Sequence, residues 1–275
     1  MPTPSRFWAD LTTGDFARLE PVRTVAVLPL GATEQHGPHL PLSVDRSLVD
    51  GIVSAALPHL AAELPALFLP TQAVGYSPEH SAFDGTLTLS WQTVLSTWID
   101  IGGCVAAAGL KKILLFNAHG GQVSLMDIAA RELRKQHGLI AYSCSWWNLP
   151  LGEAAAQFSA EEHRFGVHAG EIETSLMLAL APERVDMARA RRFASASQQR
   201  ARTSPILGNG VSAKLGWQIQ DYNAEGAAGN AAAATPEKGR RLLDAAGQQL
   251  ALLVAEISGL PLSTLADPPG APSRE

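Results

Sequence analysis

The sequence predicts an α/β protein, a three-layer α/β/α sandwich around a mostly parallel sheet. Three observations carry this. Short apolar runs recur at Val25 to Leu28, Ala66 to Leu69, Ile113 to Phe116 and Leu139 to Ser143, separated by intervals long enough for crossover helices. Amphipathic segments with helix-ending residues fill most of those intervals. Acid- and histidine-rich clusters follow the apolar runs directly, which in an open parallel sheet is where ligands bind.

Each element has a local justification. The run Thr24 to Leu30 is apolar enough for a strand buried on both faces. A helix is expected over Ser47 to Ala62. Ser90 caps a second over Trp91 to Ala108, with Gly109 just past its end, and a third over Val123 to Gln136 closes at Gly138. A shorter helix is expected at about Glu171 to Leu180. The last begins with Thr235 as cap and Pro236 at its first position, then repeats Leu242, Ala246, Leu250, Leu253 and Ile257 along one face before Gly259. Ser195 to Ala234 is rich in Gly, Ala, Ser, Asn and Gln without periodicity and reads as long loops that cover a site or join a subunit interface. A single domain is expected over residues 1–266, with a disordered Pro-rich tail at 267–275.

Composition narrows the function. At 275 residues and 46% hydrophobic content the chain can build a full core. The balance of 21 basic and 26 acidic residues, net −5, includes no dense Lys/Arg cluster, so nucleic acid is not an expected partner. No uninterrupted apolar run reaches the roughly 18 to 20 residues that span a bilayer, and the N-terminus lacks the charged-then-apolar pattern of an export signal. Cys104 and Cys144 lack CxxC spacing and read as buried free thiols. The expectation is an unexported, cytoplasmic protein.

The chemistry sits in three clusters. Glu34 and His36, two apart in extended backbone, project to one side and can face one cation. Asp45, at the start of a helix, reads either as a carboxylate favouring the helix N-terminus or as a ligand bridging two metals. His119 stands between a strand and Gly120-Gly121, whose bare backbone can approach an anion, and Asn117 can orient His119 or the substrate. His168, Glu171 and Glu173 form the third cluster. Glu171 shares a helix face with His168, whereas Glu173 lies about 200° around a regular helix from Glu171. His80, in the turn-rich stretch Gly75 to Thr86, reads equally as substrate-contacting and as surface. His39 is ambiguous, and His59, His137 and His163 carry no functional reading. Trp146-Trp147 read as an aromatic wall for a planar substrate or as ordinary packing. Neither a Walker loop nor a GxGxxG dinucleotide motif is present.

Together, Gly31-Ala-Thr-Glu-Gln-His-Gly-Pro-His39 with Asp45, Gly85-Thr86, Asn117-Ala-His-Gly-Gly121 and His168-Ala-Gly-Glu-Ile-Glu-Thr174 resemble the creatininase (creatinine amidohydrolase) family. The resemblance implies a homo-oligomer, commonly a hexamer, and two divalent ions: zinc, with manganese, iron or a second zinc beside it. It implies Glu34, His36, Asp45 and His119 as metal ligands, Asp45 bridging, and His168 as a catalytic histidine. Creatinine-cleaving members carry Tyr-Glu after the third-strand histidine, with that Glu on metal, whereas this chain has Gly120-Gly121. The glycine form is similar to members acting on formylamides and to the peptidase of mycofactocin maturation.

Two metals sharing Asp45 need a further carboxylate. Glu171 is the expected ligand, with Glu173 orienting a ligand or a helix end as a supporting catalytic residue. The expected activity is hydrolysis of an amide C–N bond in a small cyclic or linear amide or formamide. Peptide trimming, creatinine hydrolysis and a metal-stabilised structural protein are the alternatives.

Overall fold

The computed structural model describes residues 5–266; the tail at 267–275 lies outside them. In chain order the elements are α1 (Thr13–Phe16), β1 (Val25–Leu30), α2 (Val44–Ala56), β2 (Ala66–Phe68), α3 (Trp91–Ala107), β3 (Lys112–Asn117), α4 (Val123–His137), β4 (Ile140–Ser145), α5 (Glu153–Ala156), α6 (Ala160–Phe165), α7 (Glu171–Leu180), β5 (Arg192–Phe193), α8 (Ala196–Thr203), β6 (Gly229–Asn230) and α9 (Pro236–Gly259).

Strands β1 to β4 form one parallel sheet in the order β2-β1-β3-β4. All six residues of β1 and all six of β3 are buried, as strands covered on both faces require. Their side chains alternate between two cores. Val25, Val27, Leu114 and Phe116 pack with α2, α7 and α9 on one face, while Ala26, Leu28, Ile113 and Leu115 pack with α3 and α4 on the other. These are the three layers expected.

Local chemistry sets the helix ends. Ser90 accepts from Thr93 N, Thr235 accepts from Lys238 N, and Gly138 ends α4 in the left-handed conformation at φ 65°. Lys112 is buried at the start of β3, where its ammonium donates to the carbonyls of Ser258 and Leu260 at 2.6 Å and caps the end of α9. Cys104 departs from expectation: it lies on the exposed side of α3, and both cysteines are free. No described helix is long and apolar enough to cross a membrane.

The sheet order creates the site. β2 lies on one side of β1 and β3 on the other, so connections diverge at the carboxyl ends of β1 and β3 and leave a crevice there. Leu30 pairs with Asn117, and Asn117 with Ser145, so the polar clusters after these strands emerge at one level. Residues 195–234, expected as loops, add α8 and β6, which pairs with β5 just ahead of the segment. Part of this segment closes on the site, where Ala228 bridges His168 and the Gly226 carbonyl accepts from the Gln35 side chain at 2.9 Å.

Candidate metal centre

Glu34 and His36 leave β1 on extended backbone and are buried, at 1% and 0% exposure. His36 Nδ1 donates to the Glu34 carbonyl at 3.0 Å, which leaves Nε2 facing Asp45 Oδ1 at 3.3 Å. Asp45 arrives on the first turn of α2. From the end of β3, His119 donates through Nε2 to the Tyr76 carbonyl at 2.8 Å and turns Nδ1 toward Asp45 Oδ2 at 3.2 Å and Glu34 Oε1 at 3.3 Å. Both imidazoles thus have one nitrogen fixed by a backbone carbonyl and the other aimed at carboxylates, an arrangement seen when histidines ligate metals.

Glu34 Oε2, His36 Nε2 and Asp45 Oδ2 are buried without a hydrogen-bond partner. Such orphans are costly, and three in one cluster call for a missing counter-charge. Glu34, Asp45 and His119 form one group with donor atoms within 4.8 Å of one another; His36, Asp45 and Glu173 form a second. The groups share Asp45. Carboxylate and imidazole donors without a thiolate suit zinc, manganese or a similar divalent ion, so the residues present fit two cations.

Burial opposes protonation of His36, but Asp45, Glu173 and Glu34 outweigh it and push the imidazole up to about 9. His119 is likewise buried, yet Glu34 and Asp45 raise it well above its ordinary value. Burial would raise the Asp45 carboxyl, but the neighbouring His36 and His119 overcome this and hold it low. Glu173 is pushed up to about 7, chiefly by burial against the pull of His36. Burial lowers His80 to about 4, and it lowers His168 well below the usual range with help from the positive charge of His36.

The structure brings together Glu34, His36, Asp45, His119, His168 and Glu173. Glu171 is elsewhere: its carboxylate pairs with the Lys238 ammonium of α9. The expected sharing of a face by His168 and Glu171 fails because His168 is in extended backbone bridged to Ala228, Ala169 takes φ 53°, and α7 begins only at Glu171. Glu173 therefore reaches back over the helix start, with Oε2 accepting from Ala169 N at 2.5 Å. Of the two readings of Asn117, its contacts fit the orienting of His119. Its amide donates to the His119 carbonyl and Ser145 Oγ, and its oxygen accepts from His119 N and Gln122 Nε2, so it is saturated and positions His119 rather than substrate.

Sequence reasoning passed over Gln35 and Glu79, and it left His80 undecided. Gln35 Nε2 donates to His80 Nδ1 at 2.7 Å, so His80 Nε2 carries the proton that points to Glu34 Oε1 at 3.3 Å. Glu79 and His80 follow β2 as Glu34 and His36 follow β1, and that shared position was the available signal. Trp217 lies in the aperiodic segment, where nothing marked it. With Glu79, Trp146, Trp147 and Val167 it lines a cavity of about 460 Å³ above the cluster, open to solvent; both readings of the Trp146-Trp147 pair meet here, since Trp146 is also a core residue.

An open parallel sheet with carboxylates and imidazoles gathered at its switch point defines the class: an α/β protein built around a candidate dinuclear metal centre. The family model described as creatininase, creatinine amidohydrolase, matches residues 9–254, and the chain belongs to that family. It is 30% identical over 179 residues to the mycofactocin precursor peptide peptidase of Mycobacterium ulcerans, covering 63% of this chain and 65% of that one, so the match spans less than two thirds of that relative. It is 33% identical over 201 residues to the creatinine amidohydrolase of Pseudomonas putida, covering 67% and 75%. A solved creatininase with manganese superposes with a TM-score of 0.71 at 27% identity, covering 93% of this chain and 100% of that one. A zinc–zinc form of a creatininase variant gives the same score and identity, covering 93% and 99%.

Proposed function

We propose that this protein is a divalent-metal-dependent amidohydrolase that cleaves a C–N bond in a small cyclic or linear amide or formamide. Glu34, Asp45 and His119 hold one cation and His36, Asp45 and Glu173 the other. The observation that carries this reading is the pair of three-residue groups sharing Asp45, with orphaned buried atoms in both. When bound, two such cations supply electrophilic polarisation of a carbonyl and make water more acidic.

The chain's own residues do the rest. His168 Nε2 donates to the Gln35 carbonyl at 2.7 Å, leaving Nδ1 toward the site, 3.8 Å from Glu34 Oε1. From there Nδ1 accepts a proton and passes it to the departing nitrogen. Trp146, Trp147 and Trp217 wall the cavity and offer apolar surface for the substrate to lie against.

Peptide trimming is the second reading, favoured by a cavity of about 460 Å³ that is open to solvent and exceeds what one small ring fills. The names of the mycobacterial relatives support it. The same opening argues against a purely structural metal site, which would be closed. The exposed Ile206, Leu207 and Val211 support a homo-oligomer, hexameric by family resemblance; a cytoplasmic setting rests on the sequence alone.

The test is hydrolysis of a panel of cyclic amides, formamides and short peptides by the metal-loaded and metal-stripped protein. Turnover is expected only with metal and to return with Zn²⁺ or Mn²⁺. Undiminished turnover in verified metal-free protein would overturn the mechanism.

A further inference from the structure

Gly121 stands where the carboxylate of Glu79 needs room. A Cβ built on Gly121 would lie 1.9 Å from Glu79 Oε1 and 2.7 Å from His119 Nε2. A methyl group at position 121 would therefore push the Glu79 carboxylate from its present place. The glycine leaves that place open, and nothing at this position demands a special backbone angle.

Glu79 has the marks of a working group. It enters on the turn Pro78–His80 after β2, is only 7% exposed, and lines the cavity. Its only ion-pair contact among the described residues is His119 Nε2 at 3.8 Å, and that nitrogen already donates to the Tyr76 carbonyl. Its carboxylate oxygen lies within 4.8 Å of donor atoms of Glu34 and His80. His80 cannot neutralise it, because Nδ1 accepts from Gln35 and Nε2 faces Glu34. Two buried carboxylates thus face one another beside Asp45, and His119 is the one imidazolium among the described residues in contact with all three, so a cation between them would add stabilising charge. Glu34 Oε2 is buried there without a hydrogen-bond partner, an acceptor that a cation shared with Glu79 would satisfy.

We propose that Glu79 is a further metal ligand, added to the cation that Glu34 holds, and that position 121 is glycine to admit it. The proposal rests on the two-cation reading above. It gives the centre a ligand from a third strand end: β1 supplies Glu34, β2 supplies Glu79, and β3 supplies His119 together with the space that Glu79 enters.

The experiment is titration of metal-stripped full-length protein with Zn²⁺ against a chromophoric chelator, with metal counted per chain. Wild type is expected to bind two cations. Glu79→Gln should weaken one of them at least tenfold and leave the other, and Gly121→Ala should do the same by displacing the carboxylate. Glu79→Asp, which keeps a carboxylate at this position, should recover part of the lost affinity, and unchanged melting of the metal-free Glu79→Gln protein excludes a folding defect. Glu79→Gln binding both cations with wild-type affinity would overturn the proposal, including the case where only KM rises and Glu79 proves to contact substrate. Fewer than two cations on wild type would instead overturn the two-cation reading, and Glu79's role with it.

Discussion

Asp45 Oδ1 stands 3.3 Å from His36 Nε2, and that nitrogen has no hydrogen-bond partner although it is fully buried. The other oxygen of Asp45 faces His119 Nδ1 at 3.2 Å. One carboxylate therefore serves both groups, whereas Glu34 and Glu173 each belong to one of the two groups that share it. Asp45→Asn should lose both cations, while Glu34→Gln and Glu173→Gln should each lose about one, in keeping with a two-metal centre. Elemental analysis of the purified variants decides this, and an Asp45→Asn protein retaining both ions would remove Asp45 as the bridge.

Glu171 makes the contrasting case. Its carboxylate pairs with Lys238, tying the start of α7 to the first turn of α9. Glu171→Gln should keep the full metal content and lower thermal stability by about 1 to 3 kcal/mol, the usual cost of breaking a charged hydrogen bond at a largely buried site. A melting curve and a metal count on the same sample suffice. Loss of a cation without loss of stability would restore Glu171 as the ligand.

This pair also marks where the sequence stopped being legible. The strands, the caps of α3 and α9 and the helix Glu171–Leu180 were readable because periodicity and capping residues act locally. Glu34, His36 and His119 were readable because strand ends place them together. The choice between Glu171 and Glu173 depended on where a helix begins, and that is set by Ala169 at φ 53° and a bridge between His168 and Ala228, sixty residues apart by their numbers. Glu79 was hidden for a related reason: its significance lies in the empty space at Gly121, and a missing side chain has no pattern of its own.

Proton release on metal binding follows from the charge state of the metal-free cluster. His36 is raised to about 9 and His119 well above its ordinary value, so both are imidazolium at neutral pH, whereas ligation requires them neutral. Zn²⁺ binding near pH 7.5 should therefore expel more than one proton per chain, read by calorimetry in buffers of different ionisation enthalpy. The sign for stability is opposite to that for affinity. A raised histidine stabilises the metal-free fold fully below its unfolded value near 6.5, and this contribution is lost as pH rises through about 9. Metal-free protein should melt lower as pH climbs through that window while Zn²⁺ affinity increases. Binding without proton release would mean that the histidines are neutral before the metal arrives.

His168 separates proton transfer from ligation. Its ring lies 4.1 Å from the rings of both His36 and His80, centroid to centroid, so it stands within the cluster and shares a possible metal-binding group with Glu34 and His36. Two features favour proton transfer. The Gln35 carbonyl fixes the proton on Nε2, and Nδ1 remains 3.8 Å from Glu34 Oε1, farther than the 3.2 to 3.3 Å at which His36 and His119 meet their carboxylates. Burial, with the charge of His36, also keeps the ring neutral, which leaves Nδ1 free to accept a proton. His168→Ala should retain both cations with unchanged affinity and lose about 10² to 10⁴ in kcat on whichever amide the panel identifies, the range associated with removing a general acid–base. The metal count is read first, on the same preparation used for kinetics: a cation lost along with activity would make His168 a ligand and leave the leaving nitrogen without a proton donor among the groups assigned above.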